Sequence, residues 1–134
     1  MAQRPQVRFR VDFGGRCSVG VGKIQLLEAI ARTGSLSKAA RTLNMSYRRA
    51  WLLLADLNAS FNHSVVETKA GGSGGGGARV TPFGGRLIES YRKLESGVQP
   101  LAKRLLTELG QSVVDRSEPL VERAPLKRRR AVAG

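Results

Sequence analysis

Between residues 29 and 55 the chain carries five cations, Arg32, Lys38, Arg41, Arg48 and Arg49, and no Asp or Glu. A guanidinium fork suits two partners, a phosphate or the O6/N7 edge of guanine. A second stretch of interest reads AGGSGGGGARVTPFG over residues 70–84, with Lys69 and Arg79 close by. It can be a slack linker, a phosphate-cradling catalytic loop or the tip of a hairpin. A catalytic phosphate loop needs Gly-Lys-Ser/Thr opening a helix, whereas this tract runs into Ala78-Arg79-Val80. A linker needs a domain on each side, and beyond this tract the chain offers only one helical pattern and a tail. The hairpin tip remains. There the N–H groups of Gly74, Gly75 and Gly76, flanked by Lys69 and Arg79, can approach a phosphate backbone without side-chain hindrance.

Little else in the chain offers chemistry. Cys17 is the single cysteine and His63 the single histidine, so neither an intrachain disulfide nor a zinc cluster is expected. There is no carboxylate pair and no nucleophile–base set, so catalysis, metal and cofactor are not expected. The formal net charge is +13 at pH 7, which calls for a polyanionic partner, nucleic acid before membrane. The surplus is not confined to a tail, since residues 22–69 hold seven basic against three acidic residues. No run of 18 apolar residues is present and MAQRPQVRFR lacks a signal-peptide core, so a cytoplasmic protein is expected.

The elements that position these residues can be read from periodicity. Aromatics make up only 5% of the chain against 41% apolar residues, which favours a core of aliphatic helices over a β-sandwich. VRFRVDF (7–13) alternates, with Val7, Phe9, Val11 and Phe13 on one face, and predicts a half-buried strand; GGRCSVGVG (14–22) reads as a connection. Residues 22–32 predict a helix with Ile24, Leu27, Ile30 and Ala31 inward, stopped at Thr33-Gly34. SLSKAARTLNM predicts a second, short helix capped by Ser35 or Ser37, with Leu36, Ala40 and Leu43 inward and a sharp turn at Asn44. A third helix starts at Ser46 and buries Ala50, Leu53, Leu54, Leu57 and Phe61; Arg48 and Leu52 lie opposite, flanked by Tyr47, Arg49 and Trp51.

Helix, tight turn and helix with an Arg-rich outer face is the helix-turn-helix pattern. SVVETKA and ARVT then predict two strands around the glycines, a wing. Thr81-Pro82 reads as the cap and first residue of a long helix. On it Leu87, Tyr91, Leu94, Val98, Leu101 and Leu105 recur at steps of four and three, the seam of a coiled coil between two subunits. Pro100 predicts a kink there, or two consecutive helices. Residues 111–134, ending in KRRRAVAG, read as a disordered basic tail in which Lys127, Arg128, Arg129 and Arg130 can grip phosphate.

The segments SLSKAARTLNMSYRRAW and ETKAGGSGGGGARVTPFGGRLIESY resemble the N-terminal DNA-binding domain of the ModE family of molybdate-responsive regulators, and the helix-turn-helix more broadly that of LysR-type regulators. The resemblance covers roughly residues 20–110. It rests on Ser46-Tyr47-Arg48, Ala50-Trp51, GGSGGGGA, Thr81, Gly84, Leu87-Ile88 and Tyr91. It implies a dimer in which Ser46, Tyr47, Arg48 and Trp51 face or flank the major groove, while Ser35, Ser37 and Arg41 meet the backbone. Full-length members of that family carry C-terminal molybdate-binding domains. This chain ends at Gly134, so molybdate binding is not expected of it.

The expected fold is mainly α with a small β wing: N-terminal strand and connection (1–19), winged helix-turn-helix (20–82), dimerisation helix (83–110) and tail (111–134). The expected DNA-binding residues are Ser35, Ser37, Lys38, Arg41, Ser46, Tyr47, Arg48, Arg49, Trp51, Leu52, Lys69, Gly74, Gly75, Gly76 and Arg79. The expected partners are double-stranded DNA, read at an inverted repeat, and a second copy of the chain. A nonspecific architectural DNA binder and an oxyanion sensor at the dimer interface or glycine tract are the alternatives.

Overall fold

A computed structural model describes residues 4–70 and 76–115. The first elements form a hairpin. Strand β1 (Arg10–Asp12) pairs antiparallel with β2 (Ser18–Gly20), Val11 opposite Val19. The turn between them is closed by the Phe13 N–H donating to the Cys17 carbonyl at 2.9 Å, and it passes through Gly14 and Gly15, both at positive φ. The expected connection over 14–22 therefore contains a strand. Its three residues, Ser18-Val19-Gly20, are too few to show alternation. Phe13, expected inward, is 60% exposed because the turn begins at it.

Helix α1 (Val21–Thr33) is the centre of the domain, with Ile24, Leu26, Leu27, Ala29 and Ile30 fully buried. Ala31, expected on the inner face, is exposed; Leu26 and Ala29 are buried instead, because α1 is packed from several sides. Gly34 ends it in the left-handed region at φ 69, donating its N–H to the Ile30 carbonyl at 2.8 Å. Helix α2 (Leu36–Thr42) is capped by the Ser35 hydroxyl, which accepts from the Lys38 N–H at 3.2 Å. Helix α3 (Tyr47–Ser60) is capped in the same way by Ser46, which accepts from the Arg49 N–H at 3.1 Å. Asn44 makes the turn between α2 and α3 at φ 57. Ala39, Ala40 and Ala50, all buried, let these helices approach closely.

The wing is an antiparallel pair, β3 (Val66–Thr68) and β4 (Ala78–Val80), with Glu67 opposite Arg79. Helix α4 comes next as one unbroken element, Pro82–Gly110, about 43 Å long at 1.5 Å per residue. The Thr81 hydroxyl accepts from the Gly84 N–H at 3.0 Å and donates to the Ser64 carbonyl at 2.6 Å.

Pro100 lies inside α4 and does not divide it. The carbonyl that loses its helical donor belongs to Ser96, and Ser96 and Pro100 are both exposed to solvent.

The first half of α4 belongs to the domain. Phe83, Leu87 and Ile88 pack against the core, and Tyr91 is 4% exposed. The Tyr91 ring stacks on Phe9 at 4.8 Å and its hydroxyl donates to the Phe9 carbonyl at 2.8 Å. Tyr91, expected at a seam between subunits, is thus buried within its own chain, and Leu87 is partly buried there. Gln99 pairs with the Val7 backbone in both directions at 3.2 Å. Arg92 bridges α1 and α4, reaching Glu28 at 2.6 Å and Glu95 at 2.8 Å. Further along, Leu94, Leu101, Leu105 and Leu109 are 45–63% exposed. No helix among the described residues is long and apolar enough to cross a membrane.

Candidate nucleic-acid interface

The turn at Asn44 throws α3 across α2 with the first turns of α3 in solvent. Tyr47, Arg48, Arg49, Trp51 and Leu52 are all exposed, Trp51 by 53% and Leu52 by 51%. An apolar or aromatic side chain left half in water has a partner to find. These residues lie one helical step apart on two faces. Tyr47 and Trp51, four apart, border the wing; Arg48 and Leu52 occupy the adjacent outer face.

Between α3 and the wing runs an open groove of about 1020 Å³. Its walls are Ser35, Ser37 and Lys38 at the start of α2, Tyr47 and Trp51 on α3, and Lys69 and Gly76 on the wing. Seven of the residues singled out in the sequence are thereby brought together. Arg41, Ser46, Arg48, Arg49 and Leu52 do not line it; they are exposed on α2 and α3 beside it. Gly74 and Gly75 lie outside the described residues, as do Lys127, Arg128, Arg129 and Arg130.

Some cations are matched by acids: Lys23 with Asp56, Arg10 with Asp12 at 3.0 Å, Lys93 with Glu89 at 3.0 Å, and Arg92 with two glutamates. Among the described residues no carboxylate comes within ion-pair distance of Arg32, Lys38, Arg41, Arg48 or Arg49. Arg79 differs from the rest of the expected set, since it pairs with Glu67 across the wing at 3.0 Å. Both side chains of that pair are well exposed, so it is worth only about 0.2–1 kcal/mol. The serine caps leave their hydroxyl hydrogens free, because Ser35 and Ser46 accept from the helix and donate nothing to it.

Two residues escaped the sequence reading. Asn58, on the last turn of α3, accepts from the Val65 N–H at 2.8 Å and the Val66 N–H at 3.2 Å, and donates to the Val66 carbonyl at 3.2 Å. It stands in for a neighbouring strand and pins the wing to α3. The Gly34 carbonyl accepts from the Ala78 N–H at 2.9 Å and pins the other strand to the α1–α2 turn. The bond to Gly34 spans more than forty residues, and neither contact leaves a mark in the local sequence.

Residues 21–85 match the family profile described as bacterial regulatory helix-turn-helix protein, lysR family. The chain is 46% identical over 70 residues to the molybdenum transport protein ModE of Herbaspirillum seropedicae, covering 52% of this chain and 26% of that one. It is 34% identical over 110 residues to the molybdenum transport protein ModE of Azotobacter vinelandii, covering 82% and 41%. It is 44% identical over 69 residues to the DNA-binding transcriptional dual regulator ModE of Escherichia coli (strain K12), covering 52% and 26%. The chain thus spans from 26% to 41% of the length of these relatives.

Proposed function

We propose that this chain, whose residues 21–85 form a ModE-like helix-turn-helix domain of the LysR family, is a transcriptional regulator that reads duplex DNA as a homodimer in the cytoplasm. The observation that carries the reading is the set of exposed helix-turn-helix cations that no acid among the described residues answers. An α-helix fits the major groove of B-DNA, and its early residues reach base edges. Here those residues are Arg48, Arg49 and Leu52. The Arg48 fork pairs with guanine O6 and N7, worth about 1–3 kcal/mol of discrimination, and Leu52 meets a thymine methyl. Ser35, Ser37, Lys38 and Arg41 hold the phosphates beside the groove.

Dimerisation is supported by the way α4 continues. The stripe that packs Leu87 and Tyr91 into the domain extends as Leu94, Leu101, Leu105 and Leu109, where no element of the described chain covers it. A second copy of the same helix would cover it in a two-fold arrangement, so the operator would be an inverted repeat. The names of two relatives, molybdenum transport protein ModE, point to molybdenum-related genes as its targets.

Selection of sites from a random duplex pool at physiological salt, with sequencing of the bound fraction, tests the reading. An inverted repeat is the expected outcome. High affinity without any motif would leave a charge-driven architectural binder in its place. Arg48→Ala should weaken binding to the selected site more than to random duplex; equal losses on both would make Arg48 a phosphate contact.

A further inference from the structure

We infer that the far end of α3 carries a docking surface for an acidic segment of a partner protein, laid on a row of aromatic rings. The row crosses three elements. Phe13, at the turn of the first hairpin, meets Phe61 edge to face, with ring centroids 6.1 Å apart. Phe61, just past α3, meets Phe83 at 5.3 Å. Phe83, in the first turn of α4, meets His63 at 5.1 Å. Phe61 and Phe83 are half-buried and rest on the core, so the row has a fixed floor. Its two ends, Phe13 and His63, are exposed.

Phe13 is the member that the fold does not account for. The turn it opens is built by main chain, through the bond from the Phe13 N–H to the Cys17 carbonyl and the positive φ of Gly14 and Gly15. Neither device needs an aromatic side chain. A ring left in water beside two others offers a partner's apolar side chain a surface to lie on. At these spacings the row accommodates about four or five residues of an extended chain, at roughly 3.3 Å each.

Charge selects the partner. Arg86 stands over the Phe83 ring, its Cζ 5.7 Å from the centroid. Arg16 lies in the same turn as Phe13. Both are exposed, and among the described residues no carboxylate comes within ion-pair distance of either. The acids closest to them in sequence are engaged elsewhere, Asp12 by Arg10 at 3.0 Å and Glu89 by Lys93 at 3.0 Å. Aromatic rings beside unanswered arginines complement an apolar anchor flanked by Asp or Glu. A neutral or basic segment would leave both guanidiniums without a counter-charge.

Position separates this surface from DNA. Phe61 follows the last residue of α3, about 21 Å along the helix from Tyr47 at 1.5 Å per residue. The side chains proposed to read bases are on the first turns. A segment held at the far end can therefore stay in place while DNA is bound.

The test uses the full chain, free and saturated with random-sequence duplex, and short fluorescent peptides read by anisotropy. One peptide carries Glu on both sides of a Leu-Phe pair, a second has Lys for Glu, and a third has Ser for Leu-Phe. The first should bind equally well with and without duplex, and the other two about fivefold or more weakly. Phe13→Ala and Arg16→Glu should each weaken the first peptide by about fivefold or more, the effect of losing a side chain that matters at an interface. Arg48→Ala should leave it unchanged. Displacement of the peptide by duplex, or weakened binding in Arg48→Ala, would put the peptide on the DNA-reading cations and overturn the inference. Equal binding of the Glu and Lys peptides, or wild-type binding in Phe13→Ala, would overturn it too. A smaller oligomer in Phe13→Ala by sedimentation would make the surface an interface between copies, which also overturns it. Arg16→Glu changes only an exposed turn, so it decides the matter if Phe13→Ala does not fold.

Discussion

Adjacent glycines at the start of α4 should respond in opposite directions to the same substitution. A Cβ added at Gly84 would lie 2.3 Å from the Val65 carbonyl oxygen, 2.8 Å from Val80 Cγ1 and 3.1 Å from Val65 Cγ1. The nearest of these atoms is backbone and cannot swing away. The same oxygen accepts from the Thr81 N–H at 3.0 Å, so relief requires parting the wing from α4. A Cβ at Gly85 would meet nothing within 4 Å.

Within a helix, Gly→Ala alone stabilises by about 1 kcal/mol. Forcing extra volume into a filled site costs about 1–3 kcal/mol, and a clash with fixed backbone belongs at the upper end. Gly84→Ala should therefore destabilise by about 2 kcal/mol net, a fall in Tm of roughly 8–16 °C for a domain of this size. Gly85→Ala should raise the Tm by roughly 4–8 °C. Thermal melting monitored by helical circular dichroism reads both. The close-approach argument is refuted if Gly84→Ala melts at or above the wild type while Gly85→Ala rises as expected.

Other contacts lead to three further outcomes. Asn58→Ala removes three hydrogen bonds at the foot of the wing and should destabilise by about 2–3 kcal/mol; amide exchange at Val65 and Val66 should quicken more than exchange along α1. Burial raises the Tyr91 hydroxyl pKa above its usual value near 10, with Glu95 adding to the shift and Arg92 opposing it. Folding thus favours the neutral phenol, so its stabilisation is complete below pH 10 and is lost as pH rises through the folded value. Denaturation in urea as a function of pH should show a loss at alkaline pH that is smaller in Tyr91→Phe. Leu101→Glu combined with Leu105→Glu should make the protein monomeric by sedimentation while its domain melts within a few degrees of the wild type, because both side chains stand outside the core.

The helix-turn-helix was legible because its determinants are local. A serine cap precedes α2 and another precedes α3, Asn44 accepts positive φ, and Leu36, Ala40, Ala50, Leu54 and Leu57 repeat at helical spacing. The exposed cations could be placed on one side of the pattern for the same reason. The hairpin β1–β2 was only half visible, since three-residue strands give periodicity too little length. Tyr91 is buried in its own chain, a place the heptad did not reveal, because a heptad reports that a stripe is apolar and says nothing of what covers it. Tyr91 is covered by Phe9, 82 positions earlier in the chain. Asn58 and Gly34 were invisible as parts of the site, because what they do depends on strands that reach them from a distance.

The wing is tied down almost entirely through main-chain atoms: Ala78 to Gly34, Lys69 to Gly77, Thr81 to Val65. Asn58 and Thr81 are the side chains among these ties, and both grip backbone. A backbone clasp is indifferent to the letters that lie beyond it. The segment joining the two strands is therefore a cassette, free to be rewritten or lengthened while its base keeps its seat. Doubling the length of a flexible loop costs only about 0.6 kcal/mol in closure entropy. A related chain could thus trade one wing tip for another, and with it one set of DNA contacts for another, without renegotiating the fold.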